Sequence, residues 1–129
     1  MKTIEKSYMF DASITRVWDA LVNPDTIVLW GGGPAKMSEK EGAVFSLWGG
    51  DIHGKNVLVK PEKELVQEWF AGDWEKPSIV KISLFRDKGK TIVELDQVDV
   101  PDEEAKEIDK GWDEYYFRPL KELVEKNTN

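Results

Sequence analysis

Few side chains in this sequence are equipped for chemistry, and they do not form a reactive set. Cysteine is absent and His53 is the single histidine. Thiol chemistry, a His–Cys pair and a metal site built on two histidines are therefore excluded by count. Asp51 and His53 sit beside a predicted turn, where a solvated loop histidine is the expectation. Gly31-Gly32-Gly33 lacks both the Gly-Lys-Ser/Thr ending of a phosphate loop and the G-x-G-x-x-G spacing of a dinucleotide site. It reads as a corner between a helix and a strand. Carboxylates are plentiful, but Asp102-Glu103-Glu104 stands where a helix N-terminus attracts negative charge, and Glu39 and Glu41 flank a loop. No catalytic residue, metal ligand or cofactor site is assigned.

What stands out is aromatic bulk. Six tryptophans occur among 129 residues, and each buries roughly 150–250 Å² when packed. Trp18 belongs to a helix face. Trp30, Trp48, Trp69, Trp74 and Trp112, with Phe45 and Tyr116, exceed the needs of a small core. They predict an aromatic-walled cavity in which the Tyr116 hydroxyl, Gln67 or Gln97 orients a ligand.

The elements that would hold those rings are set by periodicity. Thr3–Phe10 alternates as a first strand. Asp11 or Ser13 then caps a short helix over Ile14–Val22, and a further turn or two runs from Asp25 to Trp30. Lys36–Ser38 is a weak strand. Gly42–Trp48, Ile52–Lys60, Glu64–Ala71, Ser78–Arg86 and Thr91–Val98 come next at hairpin spacing, with Asp87-Lys88-Gly89-Lys90 as a tight turn. Val80, Ile82 and Leu84 with Val93 and Leu95 are expected to form the inner face, joined by Leu65, Trp69 and Ala71 on the same alternation, with alternate assignments open for strands 3 and 4.

The last element is one long amphipathic helix from Pro101 to Lys126. A helical wheel gathers Ile108, Trp112, Tyr115, Tyr116, Pro119, Leu120 and Leu123 on one face, against Glu107, Lys110, Glu114, Arg118 and Glu122. Gly111 and Pro119 cost such a helix about 1 and 3 kcal/mol. Gly111 would let the backbone lie close to the sheet, and Pro119 would bend the far end away. Room is then expected beneath the second half, where Tyr116 and Leu120 point inward. The class is α+β: a curved antiparallel sheet of about six or seven strands around a long C-terminal helix, with two short helices after the first strand.

Several stretches resemble a known family. Arg16-Val17-Trp18-Asp19-Ala20-Leu21, Pro24 to Trp30, Glu41-Gly42-Ala43-Val44-Phe45 and Gly49-Gly50 to Gly54 occur in its order. So do Leu65-Val66-Gln67-Glu68-Trp69 and Gly111-Trp112 through Tyr115-Tyr116 to Leu120-Lys121. The chain is similar to the C-terminal-type domain of activators of the heat-shock protein 90 ATPase, in the START-like, birch-pollen-allergen-like superfamily. The resemblance covers about residues 8–125 and implies the helix-grip fold. It departs from the family at Gln97, where a histidine is usual. The co-chaperones also carry a separate N-terminal contact domain that so short a chain would not include.

Length and charge set the remaining bounds. At 129 residues a single domain is expected, spanning 1–129. Eighteen basic and 25 acidic residues leave a net charge of −7, interleaved along the chain; nucleic acid is an unsuitable partner. No apolar run is long enough to span a membrane, and no signal peptide opens the chain, so a cytoplasmic location is expected. The expected function is non-catalytic binding of an apolar or aromatic small molecule between sheet and C-terminal helix. Trp69, Trp112, Tyr116 and Leu120 would form the wall, and Phe45, Ile82 and Leu84 the floor. The alternative is a protein-interaction domain, co-chaperone-like or stress-responsive, that meets a chaperone through outward-facing Trp48 and Trp74. A third is a START-like enzyme such as a cyclase or hydrolase.

Overall fold

The structure, a computed structural model, describes residues 1–126. Its elements are β1 (Lys2–Phe10), α1 (Ile14–Val22), α2 (Pro24–Trp30), β2 (Val44–Leu47), β3 (Ile52–Lys60), β4 (Glu64–Ala71), β5 (Ser78–Asp87) and β6 (Lys90–Val100). A helix closes the chain as α3 (Ala105–Gly111), a π-helical turn (Trp112–Phe117) and α4 (Arg118–Glu125). The sheet has six strands in the order β1-β6-β5-β4-β3-β2, every pair antiparallel. Strands β2 to β6 form a meander, and β1 returns beside β6. The expected strand at Lys36–Ser38 shrinks to one bridge, Lys36 to Ser46.

Local chemistry accounts for the boundaries. Ser13 Oγ accepts a hydrogen bond from the Arg16 amide and caps α1, which settles the choice between Asp11 and Ser13. Asn23 Oδ1 does the same for α2 through the Asp25 amide, with Pro24 in the first turn. Gly31, at φ 101°, ends α2 in a left-handed conformation that costs glycine little. Asp87 pairs with Lys90 across a hairpin whose central residues, Lys88 and Gly89, have φ 52° and 81°. Positive φ at both is the twist-matched type I′ geometry.

Strict alternation sends Val80, Ile82, Leu84, Val93, Leu95, Leu65, Trp69 and Ala71 to the concave face, all buried. Gly54 is needed there. A Cβ at this position would lie 1.7 Å from the Glu68 carbonyl oxygen, and Phe45 covers the bare backbone. His53 lies on the opposite face of β3, exposed and stacked on Phe70 at 5.5 Å. The expected loop histidine is therefore a strand residue on the outer surface.

The C-terminal helix departs from uniform periodicity. The Arg118 amide donates to the carbonyl of Asp113, five residues back, and Pro119 has no N–H to give. The extra residue in this turn rotates the rest of the helix. Trp112, Tyr116 and Phe117 are all buried, whereas Tyr115 is 64% exposed. A regular helical wheel puts Tyr115 inside and omits Phe117. The structure reverses both, because a π turn advances each residue by less angle than an α turn. Phe117 stacks on Tyr8 with ring centroids 4.3 Å apart.

Candidate functional site

The tryptophans converge from four elements. Trp69 projects inward from β4 and stacks on Trp112 of the helix, centroids 4.6 Å apart and planes at 30°. Tyr116, one helical turn on, lies 4.8 Å from both Trp112 and Trp30. Trp48 comes from the short 3₁₀ turn Trp48–Gly50, with φ 50°. That conformation is costly for a bulky side chain, on the order of 1 kcal/mol. Its indole N–H donates to the Gly31 carbonyl at 2.9 Å, which aims the ring edge-on towards Tyr116.

Between this turn, β4 and the first half of the helix lies a solvent-open cleft of about 360 Å³. Trp48, Ile52, Trp69, Ile108, Trp112 and Tyr116 line it with apolar surface. Asp51, Glu107, Gly111 and Tyr115 complete the lining. A Cβ on Gly111 would meet only Tyr115 Cδ2, at 3.9 Å. Gly111 therefore does not bring the helix closer to the sheet, as expected from sequence; it keeps the cleft wall bare.

The three polar groups expected to orient a ligand have different fates. Gln67 is fully committed. It accepts from Trp69 Nε1 at 2.8 Å and donates to Asn56 Oδ1 at 2.9 Å, while Asn56 holds the carbonyls of Ser38 and Lys40. Gln97 accepts from Trp112 Nε1 at 2.7 Å and lies outside the cleft lining. Tyr116 lines the cleft, and its hydroxyl makes no hydrogen bond among the described residues. Burial pushes its phenol well above the ordinary value, so it stays protonated and able to donate.

Of the residues predicted to bind a ligand, Trp69, Trp112 and Tyr116 meet at the cleft. Phe45, Ile82, Leu84 and Leu120 do not; all four are buried in the packed core. The expected room beneath the second half of the helix is occupied by Phe117 and Leu120, and the opening lies against the first half. Sequence reasoning counted Trp48 among the cavity rings and Ile108 on the inward helix face but named neither in the wall, and it missed Ile52 and the two carboxylates. For Glu107 the signal was available: Glu107, Gly111 and Tyr115 recur at a spacing of four, a single helix stripe. Nor do Trp48 and Trp74 face outward. Trp74 is half-buried, with Nε1 donating to Glu104 Oε2 at 2.5 Å.

The rest of the concave face is filled by rings and aliphatic side chains, as in a fold that grips its last helix. Residues 11–125 match the family model for activator of Hsp90 ATPase homolog 1-like proteins. The chain belongs to this family. A Dictyostelium discoideum relative, an activator of 90 kDa heat shock protein ATPase homolog, is 30% identical over 114 residues, 86% of this chain and 30% of that protein. An uncharacterized Schizosaccharomyces pombe protein is 25% identical over 120 residues, 92% of this chain and 36% of its own length. The chain thus spans about a third of the curated relatives it matches. A crystal structure of an HSP90 activator from Plasmodium falciparum shares the fold, with TM-score 0.87, 19% identity and 96% of each chain covered. No helix among the described residues is long and apolar enough to cross a membrane.

Proposed function

We propose that this domain binds an apolar, ring-bearing small molecule in the cleft between the Trp48 turn, β4 and the first half of the C-terminal helix. One observation carries the reading: a cavity of about 360 Å³ walled by three tryptophans, with the protonated, unpartnered Tyr116 hydroxyl on its lining. Concave apolar sites with one or two polar groups are the usual form of small-molecule pockets. Gly111 supports it. A helix-interior glycine costs about 0.5–1 kcal/mol relative to alanine, and packing gives no return for it here.

Titration of the protein with 2-naphthol, a neutral aromatic with one hydroxyl, tests the reading. Saturable binding is expected, and Gly111→Leu should abolish it while the protein stays folded, because the new side chain grows into the cleft. Undiminished affinity in a folded Gly111→Leu variant, or no saturable binding by the parent, contradicts the proposal.

Family membership favours a second reading, contact with a heat-shock protein 90. Val28 and Leu29, 53% and 72% exposed on α2, offer apolar surface for it. The domain alone should not appreciably stimulate that chaperone's ATPase, since it corresponds to only 30% of the relative named for the activity. Several-fold stimulation at equimolar protein would place this reading first.

A further inference from the structure

We infer that the cleft takes an organic cation, an apolar ammonium or aromatic cation, in preference to a neutral or acidic molecule. The inference rests on the small-molecule reading above and adds the charge of the ligand. Trp48 and Tyr115 border the opening from the sheet side and the helix side, and neither ring is stacked on another. Ring faces free of stacking partners attract cations through the aromatic quadrupole. Two carboxylates share the same lining, Asp51 three residues after Trp48 and Glu107 one helical turn before Gly111.

Neither carboxylate has a hydrogen-bond or ion-pair partner among the described residues. Other acids on the same helix are engaged: Asp109 and Asp113 hold Lys6, and Glu114 meets Lys110. Among the described residues no lysine, arginine or histidine lines the cleft. An anion would therefore face two uncompensated negative charges beside an apolar wall. A cation would find both charges, the Tyr115 ring, which makes no ring–ring contact among the described residues, the Trp48 ring, which makes only T-shaped ones, and the oxygen lone pairs of Tyr116, which is only 2% exposed. The bare backbone of Gly111 lies between Glu107 and Tyr115 on the helix stripe, where it leaves room for a bulky ammonium group.

A matched set of probes reads the charge preference directly: benzyltrimethylammonium, its neutral carbon isostere neopentylbenzene, and benzenesulfonate. The cation should bind on the order of tenfold more tightly than the isostere, and the sulfonate more weakly than both. Raising ionic strength should weaken only the cation. Combining Asp51→Asn with Glu107→Gln, both exposed positions, should lower the cation's affinity severalfold more than the isostere's. Equal or tighter binding of the neutral isostere overturns the charge inference and leaves the cleft reading standing. Failure of all three probes and of 2-naphthol overturns both.

Discussion

Trp112 donates its indole N–H to Gln97 Oε1 at 2.7 Å, and this fixes the amide so that Gln97 Nε2 is left without a partner. Rotating the amide would set two donors against each other. The pair pins the π turn of the helix to β6 and stiffens one wall of the cleft. It does so with a buried donor unsatisfied, which costs about 1–3 kcal/mol. A double-mutant cycle of Trp112→Phe and Gln97→Leu should reveal the coupling. Trp112→Phe alone strands the whole amide and should cost about 1–3 kcal/mol. The double variant should be more stable than the sum of the single effects implies, by about 0.5–3 kcal/mol in chemical denaturation. Additive losses would show that the hydrogen bond carries no coupling.

The π turn makes an opposed prediction for two nearby rings. Phe117 is 1% exposed and stacked on Tyr8, so Phe117→Ala should cost about 3–5 kcal/mol. Tyr115→Ala, at an exposed position, should change stability by no more than about 0.5 kcal/mol. Uniform α-helical spacing predicts the reverse order, and thermal melts of the two variants decide.

Gly111→Ala separates the packing role of glycine from its role in the cleft. With ordinary contact distances around the new methyl group, the substitution should stabilise the protein by about 0.5–1 kcal/mol. Destabilisation would mean that the helix needs the missing side chain in order to seat on the sheet.

Acid should loosen the attachment of the helix to β1. Partial burial works to raise the Asp113 pKa, but hydrogen bonds from Lys6 Nζ at 2.8 Å and Tyr8 Oη at 2.7 Å outweigh it and hold the carboxyl below its usual range. Its folded pKa therefore lies under the unfolded value of about 3.9. The stability it contributes is complete above that unfolded value and is lost as pH falls through the folded one. Asp113→Asn should cost about 1 kcal/mol at neutral pH. The gap from wild type should close as the pH is lowered through the acid range, and a gap unchanged by acid would contradict the assignment.

How far the sequence reveals this molecule depends on which force decides each feature. Strands β4 to β6 are legible because one buried face imposes a period of two, and Asp87 to Lys90 because its turn has a sequence-specific solution; β3 is less so, because a register shift between Asn56 and Leu58 breaks its alternation. Trp69, Trp112 and Tyr116 are legible from the same alternation and from i, i+4 spacing. The exchange of Tyr115 for Phe117 is invisible to a fixed helical period. It depends on one five-residue hydrogen bond placed just before Pro119. Trp48 escapes for a related reason: its inward aim comes from a left-handed backbone angle succeeded by Gly49 and Gly50, not from strand alternation. Phe45, Ile82, Leu84 and Leu120 do face inward, as their pattern says. Whether an inward face meets a void or another ring is set by three-dimensional packing, and here the rings meet.

The six indole N–H groups provide the most direct test of the cleft, since each gives its own signal in a ¹H–¹⁵N spectrum. On titration with 2-naphthol, the resonances of Trp48, Trp69 and Trp112 should shift together along one saturable curve. That of Trp18, hydrogen-bonded to Glu39 and outside the cleft, should stay in place. Absence of saturable shifts at Trp48, Trp69 and Trp112, or a response confined to Trp18, would contradict a binding site between the Trp48 turn and the C-terminal helix.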